Sequence, residues 1–175
     1  MKIIVDAFGG DNAPLEVIKG SRMAVDELGY EIVLVGNEKI IKDEAEKNNI
    51  SLSGITIVHA PDVISMDDEP MDVMKSKSNS SMSKGLQLLA LGEGDAFVSA
   101  GNSGALAVGA TLKVKRIKGI KRCAFAPVIP KDKGFFMLID SGANVECRPE
   151  MLRQFAVMGY IYMKNVMVVE NPRVG

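Results

Sequence analysis

Cysteine is scarce in this sequence: Cys123 and Cys147 are the only two, and they form no CxxC pair. A disulfide framework or a zinc ribbon needs more, so a reduced, cytoplasmic chain held together by its apolar core is expected. Histidine is scarcer still, with His59 alone. A Ser-His-Asp or Cys-His centre would have to use it. It ends an apolar run with no nucleophile signature nearby, so a structural role is expected. No His, Cys and carboxylate cluster has usable metal-ligand spacing. Neither sign of charge is in excess: 21 basic residues face 22 acidic ones, for a net charge of −1. That balance argues against nucleic acid as a partner, which calls for a large positive excess. Long apolar runs are missing too, since none approaches the ~20 residues that span a bilayer. The opening MKIIVDAFGG has an apolar run too short for a signal peptide, and Asp6 follows at once. Peripheral membrane contact stays open.

What is present is ordinary for a globular protein: 175 residues, 47% hydrophobic and 25% charged. One α/β domain of that size buries roughly 70% of its unfolded surface. Short apolar runs alternate with amphipathic stretches. Residues 2–8, 31–35, 55–58 and 95–99 read as strands. Helices are expected after Pro14 up to Gly29, over 38–48, over 80–91, over 102–114, and from Pro149 to about Lys164. Two more strands are expected at 123–129 and 135–140. Strand-helix alternation of this kind predicts an α/β fold with a mainly parallel sheet.

In such sheets ligands sit beyond the carboxyl ends of the strands. Three polar, glycine-rich loops fall there. The first holds Asp6, Gly9, Gly10, Asp11, Asn12 and Pro14; the second Ser99, Gly101, Asn102, Ser103 and Gly104; the third Asp140, Gly142 and Asn144. The second has the clearest logic. A strand feeds a glycine, then Asn-Ser-Gly, then a helix, and helix-start N–H groups attract anions. It suits phosphate or the oxyanion of an acyl-transfer intermediate. The same residues also serve as a helix N-cap with glycines for a tight turn. The first loop is not GxGxxG, so a dinucleotide site has little support, and Asp11 and Asn12 equally suit Asx-turn chemistry. Lys75, Lys77, Ser80 and Ser81 precede or open a helix and suit phosphate or simple capping. Arg116, Lys118, Lys121 and Arg122 concentrate positive charge, which steers an acidic protein partner or closes a helix C-terminus.

The loops, in this order and with these neighbours, resemble the bacterial phosphate acyltransferases (PlsX). The matching segments are D-x-x-G-G-D-x-x-P at 6–14, S-A-G-N-S-G-A at 99–105, R-I-K-G-I-K-R at 116–122 and D-x-G-A-N at 140–144. P-E-x-L at 149–152 and N-P-R-V-G at 171–175 match as well. The resemblance covers essentially the whole chain. The segment before N-S-S-M is less basic than is usual in the family, with Asp72, Ser76 and Ser78 interrupting it.

The resemblance implies a three-layer α/β/α sandwich similar to isopropylmalate dehydrogenases and phosphotransacetylases. Family members are nearly twice as long, so this chain is expected to be an N-terminal half. It further implies transfer of an acyl group from acyl carrier protein to inorganic phosphate for phospholipid synthesis, a homodimer, and peripheral membrane association. No cofactor or metal is required. Asn102, Ser103, Asp11 and Asn144 are then the catalytic candidates. Gly9, Gly10, Asn12, Gly101, Gly104, Lys75, Lys77, Ser80, Ser81, Asp140 and Gly142 are candidates for phosphate or substrate. Arg116, Lys118, Lys121 and Arg122 are candidates for carrier docking. A coenzyme A-dependent phosphotransacetylase and an inactive fragment that only binds carrier protein or membrane are the alternatives.

Overall fold

The computed structural model describes residues 1–175, which form two compact units, Met1–Lys115 and Arg116–Gly175. The first unit carries strands β1 (Lys2–Asp6), β2 (Glu31–Gly36), β3 (Ile55–His59) and β4 (Ala96–Val98). Helices α1 (Leu15–Leu28), α2 (Glu38–Lys47) and α3 (Ser81–Ala90) lie between them, and α4 (Ser103–Gly109) follows β4. The strands are runs of Ile, Val, Leu and Phe, the signature of a parallel sheet covered on both faces.

All the pairings are parallel, in the order β3-β2-β1-β4. Side chains alternate between faces. Ile3, Val5, Ile32 and Leu34 meet Ile18 of α1 and Ile41 and Ala45 of α2 on one face. Ile4, Val33 and Val35 pack with Leu88 and Leu89 of α3 on the other. Helix, sheet and helix are thus stacked in three layers. Full burial of a side chain such as Ile4 or Leu34 contributes about 1.5–3 kcal/mol.

The helices end where their chemistry dictates. Gly29 stops α1 in the left-handed conformation, at φ 65°, and its N–H donates to the carbonyls of Ala24 and Val25. The side chains of Asn37, Ser80 and Asn102 cap α2, α3 and α4 by accepting from Ile40, Ser83 and Ala105 N–H. His59 has the expected structural part, its Nδ1 accepting from Glu38 N–H at 3.3 Å.

The strand order fixes where a site can form. From β1 the chain winds outward through β2 to β3. It then crosses back to lay β4 on the other side of β1. Winding reverses between β1 and β4, the place where ligands bind in open α/β sheets.

The second unit holds an antiparallel hairpin, β5 (Val128–Pro130) and β6 (Phe135–Met137), and the long helix α5 (Pro149–Asn165). The hairpin strands are shorter than the sequence suggests. Pro127 accepts from Leu138 N–H at 3.1 Å but has no N–H to return the bond, so the regular ladder stops there. Lys131 and Gly134 close the turn with a 3.0 Å hydrogen bond. Helix α4 is also shorter than expected, continuing as one π-helical turn over Ala110–Val114.

Candidate functional site

At the winding reversal the ends of β1 and β4 are tied together. Asp6 is 3% exposed. One carboxylate oxygen accepts Phe8 N–H at 3.2 Å and the other accepts the Ser99 hydroxyl at 2.8 Å. Ser99 Oγ in turn accepts Gly101 N–H at 3.1 Å. The two glycine loops lie almost backbone to backbone above this tie. A Cβ on Gly9 would sit 2.7 Å from Ser99 Oγ, 2.9 Å from Asp6 Oδ2 and 2.9 Å from Gly101 N. Only glycine fits there. Gly10 has φ 104° and faces Ala100. Asp11 and Asn12 are exposed on the rim of the first loop, as is Ser103 on the second.

Asn102 ties the start of α4 to a third loop. Its side chain is nearly buried and its polar atoms are all in use. The Oδ1 caps α4, while the amide points at the carbonyls of Ser65 at 3.1 Å, Asp68 at 3.2 Å and Met66 at 3.4 Å. Its geometry is that of a pin fastening the 65–68 loop to the start of α4. Asp68, within that loop, accepts Ser65 N–H and pairs with Lys77 at 2.5 Å. Lys77, and then the Ser65 N–H, hold the Asp68 carboxyl below its ordinary range. Ser80 and Ser81 are buried. Ser80 caps α3, and Ser81 N–H donates to Asp62. Lys75 is exposed. Of the groups at the start of α4, Ala105 and Leu106 N–H are bonded to Asn102. Ser103, in the first turn of α4, is exposed, and first-turn N–H groups lack intrahelical partners.

The third loop belongs to the second unit. The Asp140 carboxylate accepts Phe125, Ala143 and Asn144 N–H, at 2.8, 3.1 and 2.7 Å, and the Asn144 amide at 3.0 Å. That amide also donates to Cys123 O. Gly142 makes the turn at φ 118°. Partial burial raises the Asp140 pKa, but the Asn144 amide and three backbone donors outweigh it and hold the carboxyl below its ordinary range. In the same unit Lys121 pairs with Glu150 at 2.6 Å, its N–H donates to Gln154, and Arg116 donates to Lys121 O. Lys118 and Arg122 are exposed. Arg122, Asn144, Glu146 and Arg148 line a cavity of about 560 Å³.

The sequence model of the family described as "Fatty acid synthesis protein" matches residues 1–175. The chain belongs to this family. Among its curated relatives, a phosphate acyltransferase of Clostridium novyi is 47% identical over 176 residues, covering all of this chain and 53% of the relative. One of Thermoanaerobacterium thermosaccharolyticum is 45% identical over 175 residues, covering all of this chain and 51% of the relative. The chain thus spans about half the length of these family members. Two solved structures share its fold at 18% sequence identity. A phosphotransacetylase from Streptococcus pyogenes gives a TM-score of 0.74 over 97% of this chain and 55% of its own. The EutD phosphotransacetylase from Staphylococcus aureus gives 0.69 over 93% and 52%. The α/β/α expectation and the family resemblance both hold.

Sequence reasoning reads Asp6, with Asp11, as a group that positions a cation or a hydroxyl, and Lys77 as a phosphate candidate, but does not pair Asp6 with Ser99 or Lys77 with Asp68. Asp6 and Ser99 are 93 positions apart, so only the strand order joins them. Two outcomes follow from this geometry. Gly9→Ala pushes a methyl into the Asp6–Ser99–Gly101 tie and is expected to destabilise the protein by about 1–3 kcal/mol in urea unfolding. The neighbouring exposed change Asp11→Ala is expected to cost less than about 0.5 kcal/mol. For Asp140, a carboxyl lowered on folding stabilises the fold above its unfolded pKa. That contribution is lost as pH falls from about 4 through the folded value. Thermal midpoints of the wild type and Asp140→Asn should therefore converge on acidification from pH 7 to about 3. A gap independent of pH would refute the assignment.

Proposed function

We propose that this chain is the N-terminal half of an enzyme that moves a fatty acyl group from acyl carrier protein to inorganic phosphate. The observation that carries the reading is the close approach of the two glycine loops at the β1/β4 winding reversal. Asp6 and Ser99 are hydrogen-bonded there, and Gly9 packs against Ser99 and Gly101. Membership of the fatty acid synthesis family and relatives named phosphate acyltransferase support it.

The chemistry asks little covalent work of the protein. A phosphate oxygen attacks the thioester carbonyl carbon, a tetrahedral oxyanion forms, the C–S bond breaks, and the departing thiolate takes a proton. The products are acyl-phosphate and the free thiol. Phosphate is already nucleophilic, so no acyl-enzyme is needed. Catalysis is then a matter of positioning and of preorganised donors, each worth about 3–4 kcal/mol.

The Ser103 hydroxyl and the N–H groups of Ser103 and Gly104 are the donors assigned to phosphate or oxyanion. Asp11 and Asn12 orient groups at the rim, with Gly10 leaving room. Asn102 acts by holding the 65–68 loop, and Lys77 by holding Asp68. In the second unit, Asp140, Gly142 and Asn144 shape a further polar loop, and Arg116, Lys118 and Arg122 offer cations to an acidic carrier protein. Lys121 is engaged with Glu150. A homodimer with peripheral membrane attachment, serving phospholipid synthesis, belongs to the same reading.

The test uses the enzyme extended to the full length of its relatives. Ser103→Ala should lower phosphate-dependent acyl-phosphate formation from acyl carrier protein thioester by about 100-fold, with the melting temperature unchanged. An unchanged rate would remove Ser103 from the mechanism. Equal rates with acyl-coenzyme A and with acyl carrier protein would favour a phosphotransacetylase instead.

A further inference from the structure

The cavity of about 560 Å³ in the second unit carries polar groups that the fold itself does not use. Lys121 and Glu150, on its wall, neutralise each other at 2.6 Å. Arg122, Arg148 and Glu146, on the same wall, are exposed and form no ion pair within the chain. Asn144 adds a fixed dipole. Its amide nitrogen donates to Cys123 O at 2.9 Å and to the Asp140 carboxylate at 3.0 Å. The reverse orientation would set the amide oxygen against those two oxygens. Oδ1 is therefore the atom left free for a ligand, and it is an acceptor. The apolar part of the lining is Val145 and Met151.

A ligand that satisfies this wall must bring an anion for two guanidiniums and N–H or O–H groups for Asn144 Oδ1 and Glu146. It must also bring an apolar stretch for Val145 and Met151. Guanidiniums match the paired oxygens of a phosphate ester. The volume falls within the roughly 300–1,000 Å³ usual for small-molecule sites, and inorganic phosphate fills only a small part of it. The thioester of an acyl carrier protein hangs on phosphopantetheine, whose phosphate ester is followed by a pair of methyl groups, a hydroxyl and two amide N–H groups. We propose that the cavity holds this arm, with its phosphate between Arg122 and Arg148 and its hydroxyl and amide donors on Glu146 and Asn144. The phosphate is the point where the arm joins the carrier, and Arg116 is fastened to Lys121 O at the edge of the same wall. Asp140 then has a positioning part, since by holding the Asn144 nitrogen it leaves the oxygen to the ligand. The proposal rests on the reading of this chain as part of an enzyme that acts on carrier thioesters.

Calorimetric titration of the enzyme extended to full length, with phosphopantetheine and with pantetheine, tests the site without requiring turnover. Phosphopantetheine should bind about 100-fold more tightly, since the charge-assisted contacts are lost with its phosphate. Arg122→Gln and Arg148→Gln together should cut that preference to less than about 5-fold. Lys133→Gln, which removes an exposed cation from the β5–β6 turn, should leave the preference as it is. Should the double variant fail to fold, the comparison of the two ligands on the wild type decides alone. Equal affinities for the two ligands, or an equal loss of preference in Lys133→Gln, would overturn the proposal. So would displacement of phosphopantetheine by inorganic phosphate in proportion to its concentration, which marks the cavity as a site for the free anion. Acyl-phosphate formation from acyl carrier protein thioester, assayed on the same extended enzyme, reports separately on the proposed function. Tight binding of the arm without turnover would count against that function and leave the site standing.

Discussion

The arrangement depends on one hydrogen-bonded tie, from Asp6 at the end of β1 to Ser99 at the end of β4, relayed to the Gly101 N–H. Parallel strands do not by themselves fix the loops that leave them. Here a nearly buried carboxylate accepts from both loops at once, and a buried acceptor left without donors costs roughly 1–3 kcal/mol. The tie draws the loops together until Gly9 and Gly101 are in van der Waals contact. Small residues are needed at that contact. The tie thus sets the two glycine loops side by side.

A second constraint acts from the other side. Asn102 caps α4 with its oxygen and grips the carbonyls of residues 65, 66 and 68 with its amide. The loop it grips is stiffened by Asp68, which meets both Ser65 and Lys77. The start of α4 is therefore held by side chains that never need to touch a ligand. This division of labour suits a reaction in which the nucleophile arrives ready-made and the protein supplies geometry and fixed dipoles.

Much of this was legible in the sequence, and the limits have physical causes. The four parallel strands and helices α1 to α3 follow from β-branched runs, from Pro14 and from Gly29, all local signals, and their boundaries fall within a residue or two of those expected. The strand order was not legible, because nothing local says that β4 returns to lie beside β1. The caps made by Ser80 and Asn102 are legible as one of two alternatives, since their N–H partners are three positions on. The grip of the Asn102 amide is not, because the carbonyls that hold it are 34 to 37 positions away. The hairpin of the second unit is shorter than its apolar runs suggest, because Pro127 has no N–H to carry the ladder further.

The central claim is that the loops after β1 and β4 form one anion-binding crevice. Titration of inorganic phosphate into isotope-labelled protein, followed by backbone amide chemical shifts, tests it most directly. The account predicts that residues 9–12 and 101–104 shift together, along a single saturation curve. Shifts confined to one loop, or two loops saturating independently, would contradict it.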